Sequence, residues 1–432
     1  MSSGEKVHFI GAAGFGVSAL AQFHVMGGGT ATGSDRAFDG GASAELRAKL
    51  EKLGIVIFPQ DGSALDGTHA YAVASTAIEK DNKDLERARA LGLRLIHRAD
   101  ALSAYVAAHK TIAVAGTSGK STVVAMIFEI LEGAGLSPSV ITGGALTSLE
   151  RRGLVGNAFR GASDWLVVES DESDGTLVRY RPWLGVYLNV SKDHQDLAEL
   201  ERLFAVFRGN STEWLDASAL KAGRVELGPA GSRFSYGGQD FVLPVSGLYN
   251  VENALAAIAA ASQAGVSLPD CAKALAGFQG VSRRFERVGA SRGVEVVDDF
   301  AHNPAKVAAA LAAAHLRAAR VLAVFQLHGF APARFMKAEF LDAFAAGLGP
   351  DDVLWLPEIF YAGGTAAKDI SAADYARELK ARGKDVRFSA DRAAIPGDAA
   401  REARPGDLIL LMGARDPSLP RFARDLLAAL GR

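Results

Sequence analysis

The sequence has little cysteine and little net charge. Its 432 residues include a single cysteine, Cys271, and the formal net charge is −2. One cysteine excludes a disulfide framework within the chain and is typical of a reducing compartment, so we predict a cytoplasmic protein. Cys271 lies in a helix-like run, where a buried small hydrophobic side chain is a better interpretation than a nucleophile. The near-neutral charge gives no indication of nucleic-acid or membrane binding, and we predict neither partner.

Long apolar runs are also missing. No uncharged apolar stretch reaches about 18 residues, so the sequence predicts no membrane-spanning helix. The opening residues, MSSGEKVHFIGAAG, contain only a short, glycine-rich apolar run, and we do not expect a signal peptide. Apolar residues make up 49% of the chain and charged residues 22%, as in an ordinary folded protein with a sizeable core. The length predicts about two to four domains.

A glycine-rich turn near the middle of the chain carries the strongest chemical signal. An apolar, β-branched run at 111–115 leads into GTSGKST at 116–122, and a helix-like pattern follows. Glycines let backbone N–H groups surround a polyphosphate, and the helix N-terminus adds partial positive charge. Lys120 would reach the terminal phosphates, and a hydroxyl from Ser121 or Thr122 would hold Mg²⁺. The general phosphate-loop pattern lacks its first glycine here, and the alternative is an ordinary strand, turn and helix.

Polar residues that suit a nucleotide site recur after this turn. WLVVE at 165–169 leads into an acidic cluster that begins with Glu169. A later predicted strand at 184–190 leads to His194. The carboxyl ends of parallel strands meet at one edge of a sheet, where an α/β enzyme holds Mg²⁺. A solvated acidic loop and a structural histidine are the alternatives. Asn250 and Asn253 lie at the start of an alanine-rich helix. An asparagine there is suited to cap the helix, and its amide is also suited to read an adenine edge.

The first hundred residues predict a Rossmann-like βαβ unit. A buried strand leads into GAAGFG at 11–16, a helix follows, and a second strand ends at Asp35. The glycine spacing is G-x-x-G-x-G, so the signal for a nicotinamide cofactor is weak. The same glycine turn and helix N-terminus are also suited to bind a diphosphate, through backbone N–H groups and the helix dipole. Glycines that only turn the chain are the alternative.

The last third alternates strands and helices again and predicts a second Rossmann-like domain. One strand at 294–300 ends within DDFAHNP, where Pro304 fits the start of a helix. Two further strands lead into polar stretches at 327–334 and 412–416. Those stretches lie at the sheet edge where α/β folds usually place their sites.

Taken in order along the chain, these motifs resemble those of Mur ligases. They are GTSGKST at 116–122, the acidic cluster from Glu169, NVSKDH at 189–194, NVEN at 250–253, RRFE at 283–286 and DDFAHNP at 298–304. HFIGAAGFGVSAL at 8–20, with the later TGSD and ASTAI, is similar to the branch that joins L-alanine to UDP-N-acetylmuramate. The resemblance covers nearly the whole chain.

The resemblance implies an α/β fold of three domains. A Rossmann-like domain at 1–107 would bind the UDP substrate, and a central ATPase-like domain with the phosphate loop would span 108–290. A Rossmann-like ligase domain would occupy 291–432. Closure of the third domain would exclude water and protect a reactive intermediate.

Mur ligases join an amino group to a carboxylate of a UDP-linked muramic acid while ATP becomes ADP and phosphate. The carboxylate attacks the γ-phosphate, and the amine then displaces phosphate from the acyl phosphate. The resemblance therefore implies an ATP-dependent, Mg²⁺-dependent acid–amino-acid ligase of peptidoglycan precursor synthesis. Its partners would be small-molecule substrates, and it would be a monomer or a homodimer.

The site residues implied by the resemblance fall into four groups. The catalytic residues are Lys120, His194 and His302. The cofactor-binding residues are Gly116, Thr117, Ser118, Gly119, Lys120, Ser121, Thr122, Asn250, Asn253, Arg284 and Asp299. The substrate-binding residues are Gly11, Gly14, Gly16, Asp35, Ser75, His328 and Arg334. The metal ligands are Ser121, Thr122, Glu169 and His194.

The predicted amine site departs from the alanine-adding branch. That branch usually has Tyr and His where Phe300 and Asn303 stand, and it has an H-R-Y-S-R motif. The matching stretch here, HGFAP at 328–332, has neither arginine, although a guanidinium is the natural clamp for a carboxylate. Arg334 is close enough in sequence to replace them. Phe300 also occurs in the murein peptide ligase branch, so a ligase that attaches a peptide or another amine is the nearest alternative.

Two other classes of protein are weighed against the ligase. A nicotinamide-dependent oxidoreductase would use residues 11–16 and Asp35, but it leaves the central glycine turn and Glu169 unexplained. A non-catalytic nucleotide-binding regulator is permitted by the altered amine loop. The presence of Lys120, Glu169 and His194 argues against it.

Overall fold

A computed structural model of the chain describes residues 4–41, 43–171, 175–190, 197–361 and 367–431. These residues form two compact units, of which the first ends at Val281 and the second begins at Ser282. The short segments Glu226–Ser232 and Val245–Gly247 count with the second unit. Within the described residues, no helix is both long enough and apolar enough to cross a membrane.

The first unit starts with a five-stranded parallel sheet in the order β3-β2-β1-β4-β5. Its strands are β1 (Lys6–Ile10), β2 (Thr30–Ser34), β3 (Val56–Phe58), β4 (Tyr71–Ala74) and β5 (Arg94–His97). Its helices are α1 (Phe15–Met26), α2 (Arg36–Asp39), α3 (Ala44–Lys52), α4 (Lys83–Ala90) and α5 (Arg98–Ala108). The chain runs outwards from β1 through β2 to β3 and then crosses back to β4 on the other side of β1. The carboxyl ends of β1 and β4 therefore flank the crevice in which such sheets usually bind ligands.

A six-stranded sheet follows in the order β11-β10-β6-β9-β7-β8, and only its β7–β8 pair is antiparallel. Its strands are β6 (Lys110–Ala115), β7 (Ser139–Ile141), β8 (Ala158–Phe159), β9 (Trp165–Ser170), β10 (Leu184–Tyr187) and β11 (Glu213–Asp216). The helices are α6 (Lys120–Gly133), α7 (Thr147–Glu150), α8 (Leu197–Asn210), α9 (Leu248–Gln263) and α10 (Leu268–Ala276). Because β6 lies between β9 and β10, both neighbours end beside the turn at 116–119.

Strand β6 is tied at its opposite end by a lysine between two tryptophans. The Nζ of Lys110 lies 4.4 Å from the ring centroid of Trp165 and 4.3 Å from that of Trp183. The two rings meet edge to face, with their centroids 5.2 Å apart. These residues begin or precede three neighbouring strands. A cation shared by two rings stabilises such an edge by about 1 kcal/mol.

A small three-stranded sheet lies next in the chain, in the order β12-β13-β14. Its strands are β12 (Val225–Gly228), β13 (Gly231–Tyr236) and β14 (Gln239–Leu243).

Cys271 of α10 is buried, as the sequence predicts, and burial raises the pKa of its thiol to about 11. This thiol is therefore a packing group and not a nucleophile.

The second unit holds a six-stranded sheet in the order β15-β16-β20-β17-β18-β19, and β15 is antiparallel to β16. Its strands are β15 (Glu286–Ser291), β16 (Val294–Asp299), β17 (Val321–Gln326), β18 (Val353–Pro357), β19 (Asp385–Ser389) and β20 (Leu408–Gly413). Its helices are α11 (Pro304–His315), α12 (Phe330–Phe335), α13 (Lys337–Gly347), α14 (Ala372–Ala381), α15 (Ile395–Glu402) and α16 (Leu419–Leu430). Apolar clusters cover both faces of this sheet. Three α/β sheets confirm the predicted fold class, while the predicted domain limits stay a prediction.

Glu129, an acid on helix α6, is largely buried. Oε2 of Glu129 accepts a hydrogen bond from the backbone N–H of Gln279 at 3.3 Å. Within the described residues, its Oε1 is buried without a hydrogen-bond partner. Burial raises the pKa of Glu129 from 4.5 to about 7. Ionisation of Glu129 therefore costs more in the folded protein than in the unfolded chain.

We expect Glu129→Gln to make the protein more stable at alkaline pH. The stability contributed by protonated Glu129 is present below pH 4.5 and is lost as the pH rises through about 7. The substitution removes this loss, which amounts to about 3 kcal/mol at pH 8. Urea unfolding at pH 5 and pH 8 measures the free energy of unfolding of the parent and of Glu129→Gln. Glu132→Gln, on the same helix, is the control. An equal pH dependence in the parent and in Glu129→Gln would contradict the prediction.

Candidate functional site

Two glycines give the turn between β6 and α6 its shape. Gly116 has φ 145° and Gly119 has φ 88°, a region of backbone space that favours glycine. A Cβ at position 119 would lie 2.3 Å from Oδ1 of Asn253. Position 119 therefore needs glycine both for its backbone angle and for the close approach of Asn253. The predicted strand, glycine turn and helix are confirmed around residues 116–122.

Asn189 holds this turn from the end of the neighbouring strand. Its Oδ1 accepts from the N–H of Ser118 at 3.0 Å and from Oγ1 of Thr117 at 3.1 Å. Its Nδ2 donates to the carbonyl oxygen of Ser118 at 3.1 Å. The sequence predicts that this strand runs to residue 190, but it ends at Tyr187. Beyond its end, the carbonyl oxygen of Asn189 accepts from the N–H of Thr117 in the glycine turn at 3.2 Å. The motif NVSKDH contains Asn189, yet sequence reasoning assigned it no role.

We expect Asn189→Ala to raise the KM for ATP about a hundredfold, because the loop loses three hydrogen bonds worth about 1 kcal/mol each. Asn189→Asp keeps both acceptor contacts and loses only the donor, so its effect should be smaller. Steady-state kinetics with varied ATP measures both variants. An unchanged KM for ATP in Asn189→Ala would show that the loop keeps its shape without this side chain.

The ammonium of Lys120 lies inside the turn. Nζ donates to the carbonyl oxygen of Gly116 at 2.8 Å and lies 3.6 Å from Oδ1 of Asp171. The side chain is 12% exposed. Lys120 is the first residue of α6, so its positive charge adds to that of the helix N-terminus. A group that carries several negative charges fits this position.

Glu169 is the acid that the neighbouring strand brings to the turn. Its Oε2 accepts from Oγ of Ser121 at 2.8 Å, from Oγ1 of Thr142 at 2.9 Å and from the N–H of Gly143 at 2.9 Å. The choice between Ser121 and Thr122 is open in the sequence, and it is Ser121 that contacts Glu169. Sequence reasoning missed Thr142 and Gly143, although TGG directly after a short strand was the available signal.

The oxygen donors at this point suit Mg²⁺. A serine hydroxyl and a carboxylate are hard ligands, and they meet beside the predicted phosphate position. Ser121 and Glu169 therefore fit as protein ligands, a role that stays a prediction. His194, predicted as a catalytic residue and metal ligand, lies outside the described residues. Among the residues that are described, no group of three or more His, Cys, Asp or Glu side chains is placed to hold a metal.

The two predicted adenine-side asparagines lie inside α9. The helix begins at Leu248, so Asn250 falls in its first turn and does not occupy the cap position. Both asparagines are buried. The carboxamide of Asn253 lies against Gly119 of the phosphate loop. The structure thus brings Asn253 to the nucleotide turn, and a contact of either asparagine with adenine stays a prediction.

The predicted substrate residues of the first sheet meet at its carboxyl edge. Gly11 has φ 84°, and its N–H donates to the carbonyl oxygen of Ser34 at 2.9 Å. Oδ2 of Asp35 accepts from the N–H of Ala13 at 3.0 Å, so this acid holds the glycine turn. Ser75 follows β4, and its carbonyl oxygen accepts from the N–H of Ile78 at 3.2 Å. Because β1 pairs with both β2 and β4, these residues share the carboxyl edge of one sheet.

Helix α1 presents its N-terminus to this crevice beside a guanidinium that sequence reasoning missed. The N–H of Gly14 donates to the carbonyl oxygen of Gly11 at 3.0 Å, and α1 begins at the next residue. A Cβ at Gly16 would lie 3.1 Å from Nη1 of Arg98. The helix end and the guanidinium both favour an anion. The available signal was HRAD, directly after the last strand of this sheet.

In the second unit, two predicted histidines meet at the carboxyl edge of the third sheet. Nδ1 of His302 hydrogen-bonds the carbonyl oxygen of Phe300 at 2.8 Å. The ring centroids of His302 and His328 are 5.8 Å apart, and the rings are edge to face. They follow β16 and β17, which are separated in the sheet by β20. The structure thus brings together two residues that are distant in sequence.

Asp299 and Arg284 also lie in the second unit. The carboxylate of Asp299 accepts from the N–H groups of Phe285 and Ala301, each at 2.7 Å. Burial raises the pKa of Asp299 to about 6, and the nearby positive charge of Arg284 opposes this shift. The guanidinium carbon of Arg284 lies 4.9 Å from the ring centroid of Phe300. Nucleotide contacts by Asp299 and Arg284 stay predictions.

Arg334 is engaged in an exposed ion pair. Its guanidinium contacts the carboxylate of Asp369 and donates to the carbonyl oxygen of Ala367 at 3.3 Å. The two charged side chains are 46% and 58% exposed. The structure therefore places Arg334 with Asp369. Its proposed replacement of the missing arginines stays a prediction.

Comparisons with known proteins identify relatives of this chain. A model of the Mur ligase family catalytic domain matches residues 6–110, and a model of the Mur ligase glutamate ligase domain matches residues 283–415. The UDP-N-acetylmuramate–L-alanine ligase of Synechococcus sp. (strain RCC307) is 34% identical, over 96% of this chain and 94% of the relative. That of Phenylobacterium zucineum (strain HLK1) is 33% identical, over 95% of this chain and 92% of the relative.

Solved structures show the same fold. A UDP-N-acetylmuramate–alanine ligase from Thermotoga maritima has a TM-score of 0.80 at 24% identity, covering 98% of this chain and 99% of that one. A murein peptide ligase from Psychrobacter arcticus 273-4 has a TM-score of 0.65 at 22% identity, covering 99% of both chains. Together with the phosphate loop, these findings define an ATP-dependent ligase. The chain belongs to the Mur ligase family.

Proposed function

We propose that this protein joins L-alanine, or a similar amino acid, to the carboxylate of UDP-N-acetylmuramate with cleavage of ATP. The reaction would serve peptidoglycan precursor synthesis. The observation that carries the proposal is the contact of Ser121 with Glu169 at 2.8 Å beside Lys120, at the start of one helix. This site lies in a chain that matches UDP-N-acetylmuramate–L-alanine ligases over nearly its full length.

The central sheet takes the ATP in this proposal. The N–H groups of residues 116–122 surround the phosphates, and the ammonium of Lys120 neutralises charge on the β- and γ-phosphates. Ser121 and Glu169 would hold Mg²⁺, with His194 as a further predicted ligand. When bound, Mg²⁺ would neutralise negative charge on the phosphate oxygens. Asn189 keeps the loop in the shape that these contacts need.

The chemistry follows from the need to activate a carboxylate. A carboxylate oxygen of the substrate attacks the γ-phosphorus, and the bond to the leaving ADP oxygen breaks. The resulting acyl phosphate has a good leaving group. The amine nitrogen then forms the amide bond at the acyl carbon, phosphate departs with the electrons of the broken C–O bond, and the amine loses a proton. Lys120 stabilises the charge that develops in the phosphoryl step.

The first sheet would bind the UDP part of the substrate. Gly11, Gly14 and Gly16 form the turn that receives the diphosphate, and Arg98 supplies positive charge beside it. The proposal keeps three domains at 1–107, 108–290 and 291–432, with the first as the UDP-binding domain. The cytoplasmic location and the monomeric or dimeric state also stay predictions.

The third sheet would bind the amine at the edge where His302 and His328 meet. One observation favours a second candidate, a ligase that attaches a peptide or another amine. The stretch at 328–332 has no arginine, and Arg334 is paired with Asp369. A free amino acid places its carboxylate next to the reacting amine and needs a cation there. A peptide carries its terminal carboxylate further away and does not have this need.

An amine panel separates the two candidates. Phosphate release is measured with ATP, Mg²⁺ and UDP-N-acetylmuramate and with L-alanine, glycine, L-serine or L-alanyl-γ-D-glutamyl-meso-diaminopimelate. Mass spectrometry of the product identifies the new amide. L-alanine should give the highest kcat/KM. A preference for the tripeptide would establish the second candidate, and phosphate release only with an acceptor other than UDP-N-acetylmuramate would refute both.

A further inference from the structure

Asn157 is a buried asparagine that joins the second sheet to the first helix of the chain. It directly precedes β8, and 0% of its surface is exposed. Its Nδ2 donates to the carbonyl oxygen of Phe15 at 2.8 Å and to Oγ of Ser18 at 3.0 Å. Its Oδ1 accepts from Nε2 of Gln22 at 2.8 Å. Both ends of the carboxamide are thus bound to α1.

The backbone of Asn157 faces the ATP site. Its carbonyl oxygen accepts from the N–H of Thr142 at 3.0 Å, and Oγ1 of Thr142 donates to Glu169 at 2.9 Å. A continuous series of hydrogen bonds therefore runs from the acid at the phosphate loop to the first turn of α1. That turn belongs to the glycine segment at 11–16.

The glycine segment depends on such an outside contact. Its helix begins after Gly14 without a hydrogen bond from a side-chain cap, and the ring of Phe15 is 48% exposed. Glycines restrict the backbone little, so the segment takes its position from neighbouring elements. Asp35 holds the turn to the first sheet through the N–H of Ala13. Asn157 binds the carbonyl group of Phe15, which lies within the segment itself.

We propose that Asn157 is a positioning residue that sets the place of the glycine segment relative to Glu169. This inference rests on the proposed function, in which that segment binds the diphosphate of the substrate. The diphosphate and the reacting carboxylate belong to one molecule, so their binding sites must keep a constant separation. A displacement of about 1 Å is enough to lower a rate about a hundredfold. Asn157 supplies the direct link between the two sites.

The kinetic test compares two variants of Asn157. Asn157→Ala removes all three side-chain contacts. Asn157→Asp keeps the shape and the acceptor for Gln22 but replaces the donor to Phe15 with an oxygen. Both should lower kcat and raise the KM for UDP-N-acetylmuramate about tenfold or more, because the carboxylate and the diphosphate no longer fit their sites together. The KM for ATP should stay within about twofold of the parent. Equal increases in both KM values, or no increase in either, would overturn the proposal.

A matched control is available on the next strand. Ser139 of β7 is also 0% exposed, and its Oγ accepts from the N–H of Gly161 at 3.0 Å. Ser139→Ala removes a buried hydrogen bond in the same sheet without touching α1. It should lower thermal stability and leave the KM for UDP-N-acetylmuramate unchanged. An effect on this KM equal to that of Asn157→Ala would mean that any loss of stability here weakens substrate binding.

Amide hydrogen exchange tests the inference without any substrate. Peptides that cover residues 11–22 should exchange faster in both Asn157 variants than in the parent and in Ser139→Ala. This measurement is independent of the proposed function, because it uses no substrate. If the parent enzyme did not use UDP-N-acetylmuramate, the proposed function would be refuted, and the exchange result would still test the positioning role. Unchanged exchange over residues 11–22 would overturn the positioning role. If Asn157→Ala does not fold, the isosteric Asn157→Asp provides both measurements.

Discussion

Replacing Lys120 with alanine is expected to lower kcat about a thousandfold or more. The ammonium of Lys120 is held inside the phosphate loop by the carbonyl oxygen of Gly116. In the proposed reaction it neutralises the negative charge that is present on ATP and that shifts during phosphoryl transfer. A methyl group at this position cannot do so. Phosphate release at saturating ATP, UDP-N-acetylmuramate and L-alanine measures the effect.

Lys110 provides the control for this variant. It lies at the other end of the same strand, where its ammonium sits between Trp165 and Trp183. Lys110→Ala removes an equal charge and should lower the midpoint of thermal unfolding, while kcat stays close to that of the parent. Near-parental turnover by Lys120→Ala would refute the role of Lys120, and with it the assignment of residues 116–122 as the phosphate loop.

Replacing Glu169 with glutamine is expected to lower kcat about a hundredfold and to raise the Mg²⁺ concentration needed for half-maximal activity. The shape of the side chain is retained, so the change is mainly one of charge. A neutral amide is a poorer ligand for Mg²⁺ than a carboxylate. Added Mg²⁺ should therefore restore part of the activity. Titration of the activity with Mg²⁺ at saturating ATP measures both effects.

The matched control for Glu169→Gln is Glu132→Gln, on the phosphate-loop helix. Glu132 forms an ion pair with Arg152. Neither residue belongs to the phosphate loop at 116–122. An ion pair of this kind contributes little to stability, typically about 0–1 kcal/mol. The Mg²⁺ titration of Glu132→Gln should match that of the parent. If Glu169→Gln needed no more Mg²⁺ than the parent, Glu169 would have a role other than metal binding.

Sequence reasoning reached most of the fold because the signals are local. The strand at Lys110–Ala115, the turn and the helix from Lys120 follow from an apolar run, glycines and a helical pattern within about twenty residues. Pro304 correctly marked the start of α11, where Asn303 caps the helix. Strand β10 was predicted too long, because apolar residues recur at Leu188 and Val190 after the strand has ended at Tyr187.

The site was predicted less completely for a physical reason. Residues that follow different strands approach one another only through the order of strands in the sheet, and a local pattern does not report that order. Asn189, Thr142 and Arg98 were therefore missed, although each follows the end of a strand within two residues. The ion pair between Arg334 and Asp369 was missed for the same reason, since the two residues are 35 positions apart in the sequence.

The sequence by itself determined the alternation of strands and helices, the phosphate loop at 116–122 and the family. Each of these depends on neighbours in the chain or on the order of motifs along it. Only the tertiary structure decided that Ser121 contacts Glu169, that His302 meets His328, and that Asn157 binds Phe15 across 142 residues. Such hydrogen bonds and ring contacts act over a few ångströms, so they exist only after the sheets have placed distant segments side by side.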